Sequence, residues 1–569
     1  MALKYRELFK PFKIGKLEIK NRICMAPMLP AGWLDDKKIF TDETIAYYEE
    51  RAKGGVGLIY TGASFPNAGL EHADFTKSPF AHPEYFVMQA RKLVDAVHKY
   101  GCKIFIQMQL GCGRTAFPGS SVPIAPSPVA NRWDPSVECR ELTKEEIQRL
   151  IDATIEAAVL CKQAGADGVD INGVKGGYLG DQFATEAFNK RTDEYGGTLE
   201  GRVRLIVEIV KGIKERCGKD FPVTTRLGTK AHMKGERQGQ LPGEEYTEFG
   251  RDIEESLKIG KMLEEAGFDA ILFGTGTYDS LYWLYPPMYM EDGCWLEEVR
   301  QLKEALNIPI ICPGKMSDPA IANQAIKDGA IDAVAIGRGL VADPEWPDKV
   351  KRGNDEDIRP CLYCNIGCLA RVLGGLNMQC SVNSDLFCEK EIPVKYGKTD
   401  SPKKVAIIGG GIAGMEAARV AAIRGHDVTI YEKTDRLGGL MIPASVPEFK
   451  KYDKKLLEWF ERQMKQLGVK LRYKQYMDAE KIMALDADVI LMATGSTPKM
   501  LSVPGSDQEN VLTAADVLMG KKLPGRKVVL IGGGQVGCET ALWLKEKGYD
   551  VAIVEKLGEL IAAGSDPIP

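Results

Sequence analysis

Residues 361–380 read C-L-Y-C-N-I-G-C-L-A-R-V-L-G-G-L-N-M-Q-C, and the rest of the chain divides on them. Cys361, Cys364, Cys368 and Cys380 stand in a C-x2-C-x3-C-x11-C arrangement. Three closely spaced thiolates with a fourth returning on a loop can ligate the irons of a [4Fe–4S] cube. Structural zinc also uses four cysteines, more often as two separated C-x2-C knuckles, and stays open as the second reading. Before the stretch, strand and helix patterns alternate; after it comes a glycine-rich nucleotide-binding sequence. A cluster between two redox-cofactor domains would be a relay.

Upstream, short β-branched or wholly apolar runs occur at 22–28, 56–61, 103–109, 168–172, 222–226, 270–273, 309–312 and 333–336. Several are apolar throughout, as strands buried on both faces should be. Amphipathic helical patterns such as 144–164, 199–216 and 252–266 lie between them. Eight strand–helix units predict an α/β fold, a (β/α)8 TIM barrel over 1–355, with chemistry at the strand C-termini. A doubly wound open sheet shares the periodicity, but eight units favour the barrel.

Downstream, V-A-I-I-G-G-G-I-A-G-M-E (405–416) sits between a strand and a helix pattern, giving G-x-G-x-x-G at Gly409, Gly411 and Gly414. Glu432 follows about 20 residues on, where a carboxylate bonds a ribose diol. A second copy, V-V-L-I-G-G-G-Q-V-G-C-E-T, carries Gly532, Gly534 and Gly537 and then Glu555, which would repel a 2′-phosphate and argues for NADH over NADPH. The expected domains are the barrel (1–355), the iron–sulfur segment and linker (356–395), and two Rossmann-like parts (396–510 and 511–569).

Composition excludes other classes. The 569 residues are 44% hydrophobic and 27% charged, and the formal net charge of −4 gives no reason to expect nucleic acid or an anionic membrane as partner. No apolar run is long enough to span a bilayer and the N-terminus does not read as a signal peptide. Fourteen cysteines, scattered apart from the one motif, fit a reducing, cytoplasmic setting.

The opening L-F-K-P-F-K-I-G-K-L-E-I-K-N-R-I-C-M-A-P-M (8–28) resembles the start of the old yellow enzyme family of flavin-dependent ene-reductases. The resemblance implies that Ala26, Pro27 and Met28 face the isoalloxazine of FMN. It puts Gln107, in Q-M-Q-L-G-C-G-R, and Arg226, in T-R-L, beside the same ring. Gly314 and Lys315, with Gly337 and Arg338, resemble the family's phosphate cradle, where glycine admits backbone N–H groups and a basic side chain neutralises the anion. In G-V-D-I-N-G-V-K-G-G-Y-L-G-D-Q-F (168–183), Tyr178 falls on the tyrosine that protonates the substrate carbon. A phenol suits that work because it stays protonated at neutral pH. The family's carbonyl-polarising pair is replaced here by Asn172 and Lys175, and Tyr285 stands where related enoate reductases often carry histidine.

K-G-E-R-Q-G-Q-L-P-G-E-E-Y (234–246) and the three-part layout narrow the resemblance to the 2-enoate reductase, 2,4-dienoyl-CoA reductase and trimethylamine dehydrogenase group. There the cysteine motif binds [4Fe–4S], the first glycine fingerprint with Gly495 holds FAD, and the second binds NADH. The implied activity is NADH-dependent reduction of an activated C=C in a small unsaturated molecule, with electrons passing NADH → FAD → [4Fe–4S] → FMN. Two other readings stay open: a dehydrogenase or desaturase running outward, and an electron-transfer subunit serving a partner, with homo-oligomerisation also open. The sequence ends 14 residues past Glu555, where such enzymes continue, so a fragment of a longer polypeptide is expected, with an incomplete FAD/NADH module as the alternative.

Overall fold

The computed structural model describes residues 3–117, 119 and 122–561. By their internal contacts the described residues form two compact units: one within 3–355 with 364–389, the other of 356–363 with 390–561.

In the first unit eight parallel strands close into a barrel: β1 (Ile23–Met25), β2 (Leu58–Tyr60), β3 (Lys103–Gln109), β4 (Gly168–Val174), β5 (Val223–Gly228), β6 (Ala270–Gly274), β7 (Ile310–Cys312) and β8 (Ala333–Ile336), with β8 pairing back to β1. The expected barrel is therefore the fold. Between the strands run helices that include α1 (Asp42–Lys53), α2 (Pro83–His98), α3 (Lys144–Gln163), α4 (Leu199–Cys217) and α5 (Ile253–Ala266). Thr41, Thr143, Thr198 and Asp252 cap four of them by accepting from a backbone N–H of the first turn, and Thr143 forms a full capping box with Glu146.

The barrel's interior is graded. Leu58, Phe105, Ala270, Leu272, Ile311, Ala333 and Ala335 pack with Phe12, Ile14 and Ile19 of an N-terminal hairpin into one apolar cluster. Further along β3, at the same period of two, come Gln107 and Gln109, paired in register with Asp170 and Asn172 of β4. A β-bulge shifts the β4–β5 register between Ile171 and Val174. Bulges next to active sites re-aim side chains, and this one precedes Lys175.

The second unit holds a four-stranded parallel sheet in the order β11 (Lys470–Arg472), β10 (Asp427–Tyr431), β9 (Lys404–Ile408), β12 (Val489–Met492). A separate parallel pair, β13 (Lys527–Ile531) and β14 (Asp550–Val554), follows. Each glycine fingerprint joins a strand to a helix, Ile412–Ile423 in the first case and Gln535–Glu546 in the second, as Rossmann-type units require.

Candidate active site

The C-terminal mouth of the barrel carries the polar side chains. Gln107 donates from Nε2 to Asp170 Oδ2 at 2.7 Å, and Thr224 donates to Asp170 Oδ1 at 2.7 Å. Burial pushes the Asp170 carboxyl up, with Arg226 opposing. Burial likewise lowers the Arg226 guanidinium, against the pull of Asp170. Among the described residues the buried Arg226 Nε has no hydrogen-bond partner. Asn172 donates to Gln109 Oε1 at 2.5 Å, and its own buried Oδ1 has no partner among the described residues. An unused donor and an unused acceptor at one mouth fit a heteroaromatic ring that offers both, as a flavin does. Ala26 accepts the barrel's closure by donating its N–H to Ile336 O, and Met28 lies beside Gly337, 3.2 Å from where a Cβ would stand.

Lys175 is buried and makes no hydrogen bond or ion pair among the described residues; its ammonium nitrogen lies 5.8 Å from the Trp295 ring centroid. Burial, reinforced by Arg226, holds its pKa well below the ordinary lysine value, with Asp181 opposing. Asp181 itself is paired with Arg251 at 2.7 Å.

Tyr178 caps the short helix Leu179–Ala184, and its hydroxyl lies 2.8 Å from that of Tyr278. Tyr278 reaches on to the Tyr285 hydroxyl at 3.2 Å. So Tyr285 meets Tyr178 mainly through Tyr278, which the sequence reading passed over. Trp133, Leu281, Leu284 and Leu373 wall the three phenols, and Phe117 stacks on Trp133 at 4.8 Å. Burial raises the pKa of Tyr178 and Tyr278 well above the ordinary phenol value.

At β7 and β8 the expected phosphate cradle needs one correction. Lys315 turns its ammonium away into carbonyls, bonding Pro287 O at 3.2 Å, Met288 O at 3.3 Å and Met290 O. Its backbone at φ 55° makes the turn. Gly314, at φ +92°, needs its lack of a side chain because a Cβ would stand 2.7 Å from the Trp295 ring. Arg338 donates to Pro286 O at 2.8 Å and to Asn365 Oδ1 at 2.6 Å, and Asn365 donates to Tyr285 O at 3.1 Å.

Those last bonds tie the cysteine loop to the barrel mouth. Cys364, Cys368 and Cys380 all belong to the barrel unit; Cys361 lies on the segment assigned to the second unit. The Cys368 thiol is pushed up to about 12, first by burial, with Arg338 opposing and Cys364 and Cys380 adding to the rise. Gly367 lets the returning chain close, since a Cβ there would stand 2.8 Å from Gln379 O. Among the described residues no set of three or more His, Cys, Asp or Glu is placed to hold a metal ion. Half-buried thiols in this spacing are the donor type that an iron–sulfur cluster takes.

In the second unit the three glycines of each fingerprint have separate jobs. Gly409 adopts φ +109° at the tight turn. Gly411 and Gly534 face open space, where a phosphate can approach. A Cβ on Gly414 would overlap Gly409 O, and one on Gly537 would overlap Gly532 O, so each third glycine is a close-packing position. Glu432 accepts from Gly410 N at 2.8 Å and Glu555 accepts from Gly533 N at 2.5 Å, which anchors both acids beside the glycine turns. Gly495, at φ 71°, also borders open space.

A (β/α)8 barrel with a buried flavin-type mouth, a thiol loop and two dinucleotide folds defines a flavin-dependent oxidoreductase. The chain belongs to the NADH:flavin oxidoreductase / NADH oxidase family, which matches residues 7–357. The pyridine nucleotide-disulphide oxidoreductase family matches residues 402–568. The chain is 46% identical to cinnamate reductase of Clostridium sporogenes over 99% of its own length and 85% of that protein. It is 39% identical to NADH oxidase of Thermoanaerobacter brockii, with the same coverage. A solved complex of 2-naphthoyl-CoA reductase with 2-naphthoyl-CoA superposes with a TM-score of 0.88 at 32% identity, covering 98% of this chain and 84% of that one. The protein is an NADH-dependent flavoenzyme acting on C=C bonds in a small-molecule substrate, and its cofactors are FMN, FAD, NADH and a [4Fe–4S] cluster. No described helix is long and apolar enough to cross a membrane.

Proposed function

We propose that the substrate is a 2-enoate with an aromatic β-substituent, of the cinnamate type, and that Tyr178 donates the proton that completes its reduction. The observation that carries this reading is the pairing of a phenol held at 2.8 Å by a second phenol with a buried, partnerless lysine at the same barrel mouth. The similarity to cinnamate reductase and the aromatic wall of Phe117, Trp133 and Tyr278 support the aryl group.

When bound, reduced FMN supplies a hydride to the β-carbon, and NADH, FAD and the cluster supply its electrons. Ala26, Pro27, Met28, Gln107 and Arg226 would hold the flavin ring. Gly314, Gly337, Arg338 and the backbone of Lys315 would hold its phosphate. FAD would rest on Gly409, Gly411, Gly414, Glu432 and Gly495, and NADH on Gly532, Gly534, Gly537 and Glu555. Cys361, Cys364, Cys368 and Cys380 are the cluster's ligands on this reading. Lys175 takes the carboxylate: an incoming anion beside the buried amine favours its protonated form and supplies the partner for a charge-assisted hydrogen bond. Asn172 orients the same end, and Tyr178 gives its proton to the α-carbon. A reducing, cytoplasmic setting goes with thiols of which none is in a disulfide among the described residues.

The test is single-turnover reduction of cinnamate by dithionite-reduced enzyme. Tyr178→Phe should lose about 10²–10⁴-fold in rate while flavin reduction by NADH stays intact. An unchanged rate would remove Tyr178 from the chemistry.

A further inference from the structure

Tyr178 can donate its proton once per cycle and must then recover one, and its surroundings limit where that proton comes from. Tyr178 is half-buried, and among the described residues its hydroxyl bonds no carboxylate, imidazole or ammonium; it lies 2.8 Å from the hydroxyl of Tyr278, with the hydroxyl of Tyr285 also within its reach. Tyr278 is 6% exposed, and its hydroxyl in turn meets only Tyr178 and Tyr285, the latter at 3.2 Å. Tyr285 is half-buried and lies near enough to bear on Tyr178 as well. Trp133, Leu281, Leu284 and Leu373 pack around the phenols, and the Arg226 guanidinium and the Cys112 thiol lie near enough to act on them. Phe at any of the three positions would fill the same space, so packing alone does not ask for three hydroxyls in contact.

We propose that Tyr278 and Tyr285 form a phenol relay that reloads Tyr178 with a proton from solvent; this rests on Tyr178 being the proton donor. After the Tyr178 O–H bond has broken and the α-carbon C–H bond has formed, the Tyr278 proton moves to the Tyr178 oxygen. The Tyr285 proton moves to Tyr278, and a solvent proton restores Tyr285. Each oxygen ends as it began, one proton enters from bulk water, and no electron moves in the relay. Reloading through hydroxyls suits the site because a phenolate left among the apolar walls would be disfavoured, whereas hydrogen-bonded hydroxyls spread the charge over three oxygens and pass it out to the half-buried Tyr285. Tyr278 is thus a relay residue that acts through Tyr178.

The experiment compares single-turnover and steady-state cinnamate reduction in the holoenzyme for Tyr178→Phe, Tyr278→Phe and Tyr285→Phe, in H2O and D2O and across buffer concentrations. The relay predicts that Tyr278→Phe lowers steady-state turnover by about tenfold or more. Its single-turnover rate should fall much less, because the first proton is already on Tyr178. The steady-state solvent isotope effect should rise, and concentrated small buffer acids should restore turnover. Tyr285→Phe should give the same pattern more weakly. If Tyr278→Phe slows single turnover as much as steady state, with no buffer rescue, the residue only positions Tyr178 and the relay is rejected. Wild-type turnover in Tyr278→Phe rejects it too. Loss of the donor reading itself shows up separately, as an undiminished single-turnover rate in Tyr178→Phe.

Discussion

The alkyl arm of Lys175 lies across Gly274: a Cβ at residue 274 would overlap the lysine Cε and stand 2.8 Å from Cδ and 3.0 Å from Cγ. The glycine ends β6, and its missing side chain is the space through which an ammonium from β4 reaches the barrel mouth. Gly274→Ala should therefore turn Lys175 aside. The expected result is a rise of about tenfold in the KM for cinnamate, the scale of losing one charged hydrogen bond, with flavin content unchanged. A wild-type KM would take Lys175 out of the substrate site.

The buried amine also predicts a pH dependence. Its pKa in the folded protein is depressed, so between that value and the ordinary lysine value the unfolded chain binds more protons than the folded one. Lys175 thus costs the barrel stability at neutral pH, and the cost fades as pH rises toward the ordinary lysine range. Lys175→Met should melt at a higher temperature than wild type at pH 7, with the two curves converging at alkaline pH. Cinnamate should bind wild type with proton uptake, tightening as pH falls from alkaline values. Calorimetry in buffers of different ionisation enthalpy reads that uptake directly, and a zero proton count would contradict the carboxylate role.

The two kinds of glycine in the first fingerprint should fail differently. Gly414→Ala drives a Cβ into Gly409 O and should both strip FAD and lower the melting temperature of the second unit. Gly411→Ala meets nothing within 4 Å and should leave the melting temperature alone while weakening FAD. Flavin release measured beside thermal unfolding separates them, and equal melting losses would refute the assignment.

Arg51 and Glu389 form an ion pair at 2.5 Å with side chains 0% and 4% exposed. Arg51→Ala would strand a buried carboxylate, at a cost of about 3–5 kcal/mol. Because Glu389 closes the segment that carries Cys364, Cys368 and Cys380, iron content should fall with stability. The double change Arg51→Met with Glu389→Leu should recover most of both, since a well-packed apolar pair can replace a buried ionic one. Failure of the double variant to recover iron would show a role for the charges beyond burial.

Much of this was legible from residue order. All eight barrel strands lie within the runs expected or extend them by a residue or two, because buried parallel strands advertise themselves as unbroken apolar runs. The glycine fingerprints were equally plain, since only one residue type tolerates those approaches. Less was visible where a side chain chooses its direction. Lys315 looked like a phosphate ligand by type and place, yet its positive φ and the carbonyls of 287–290 turn it inward. Tyr278 lies seven residues before Tyr285, but nothing in its spacing marked it out; only the loop's fold brings its hydroxyl to Tyr178. The Arg338–Asn365 bond joins positions 27 residues apart with no local pattern to announce it.

That bond has a practical consequence for anyone recombining such enzymes. The chain leaves the barrel unit at 356–363 and returns for 364–389, so three of the four motif thiols travel with the barrel although they follow it in the sequence. A chimera that joins this barrel to a foreign electron-input module at residue 356 would discard them together with the Asn365 tether. A junction placed after Glu389 keeps them, and makes the thiol loop part of the exchangeable flavin cassette.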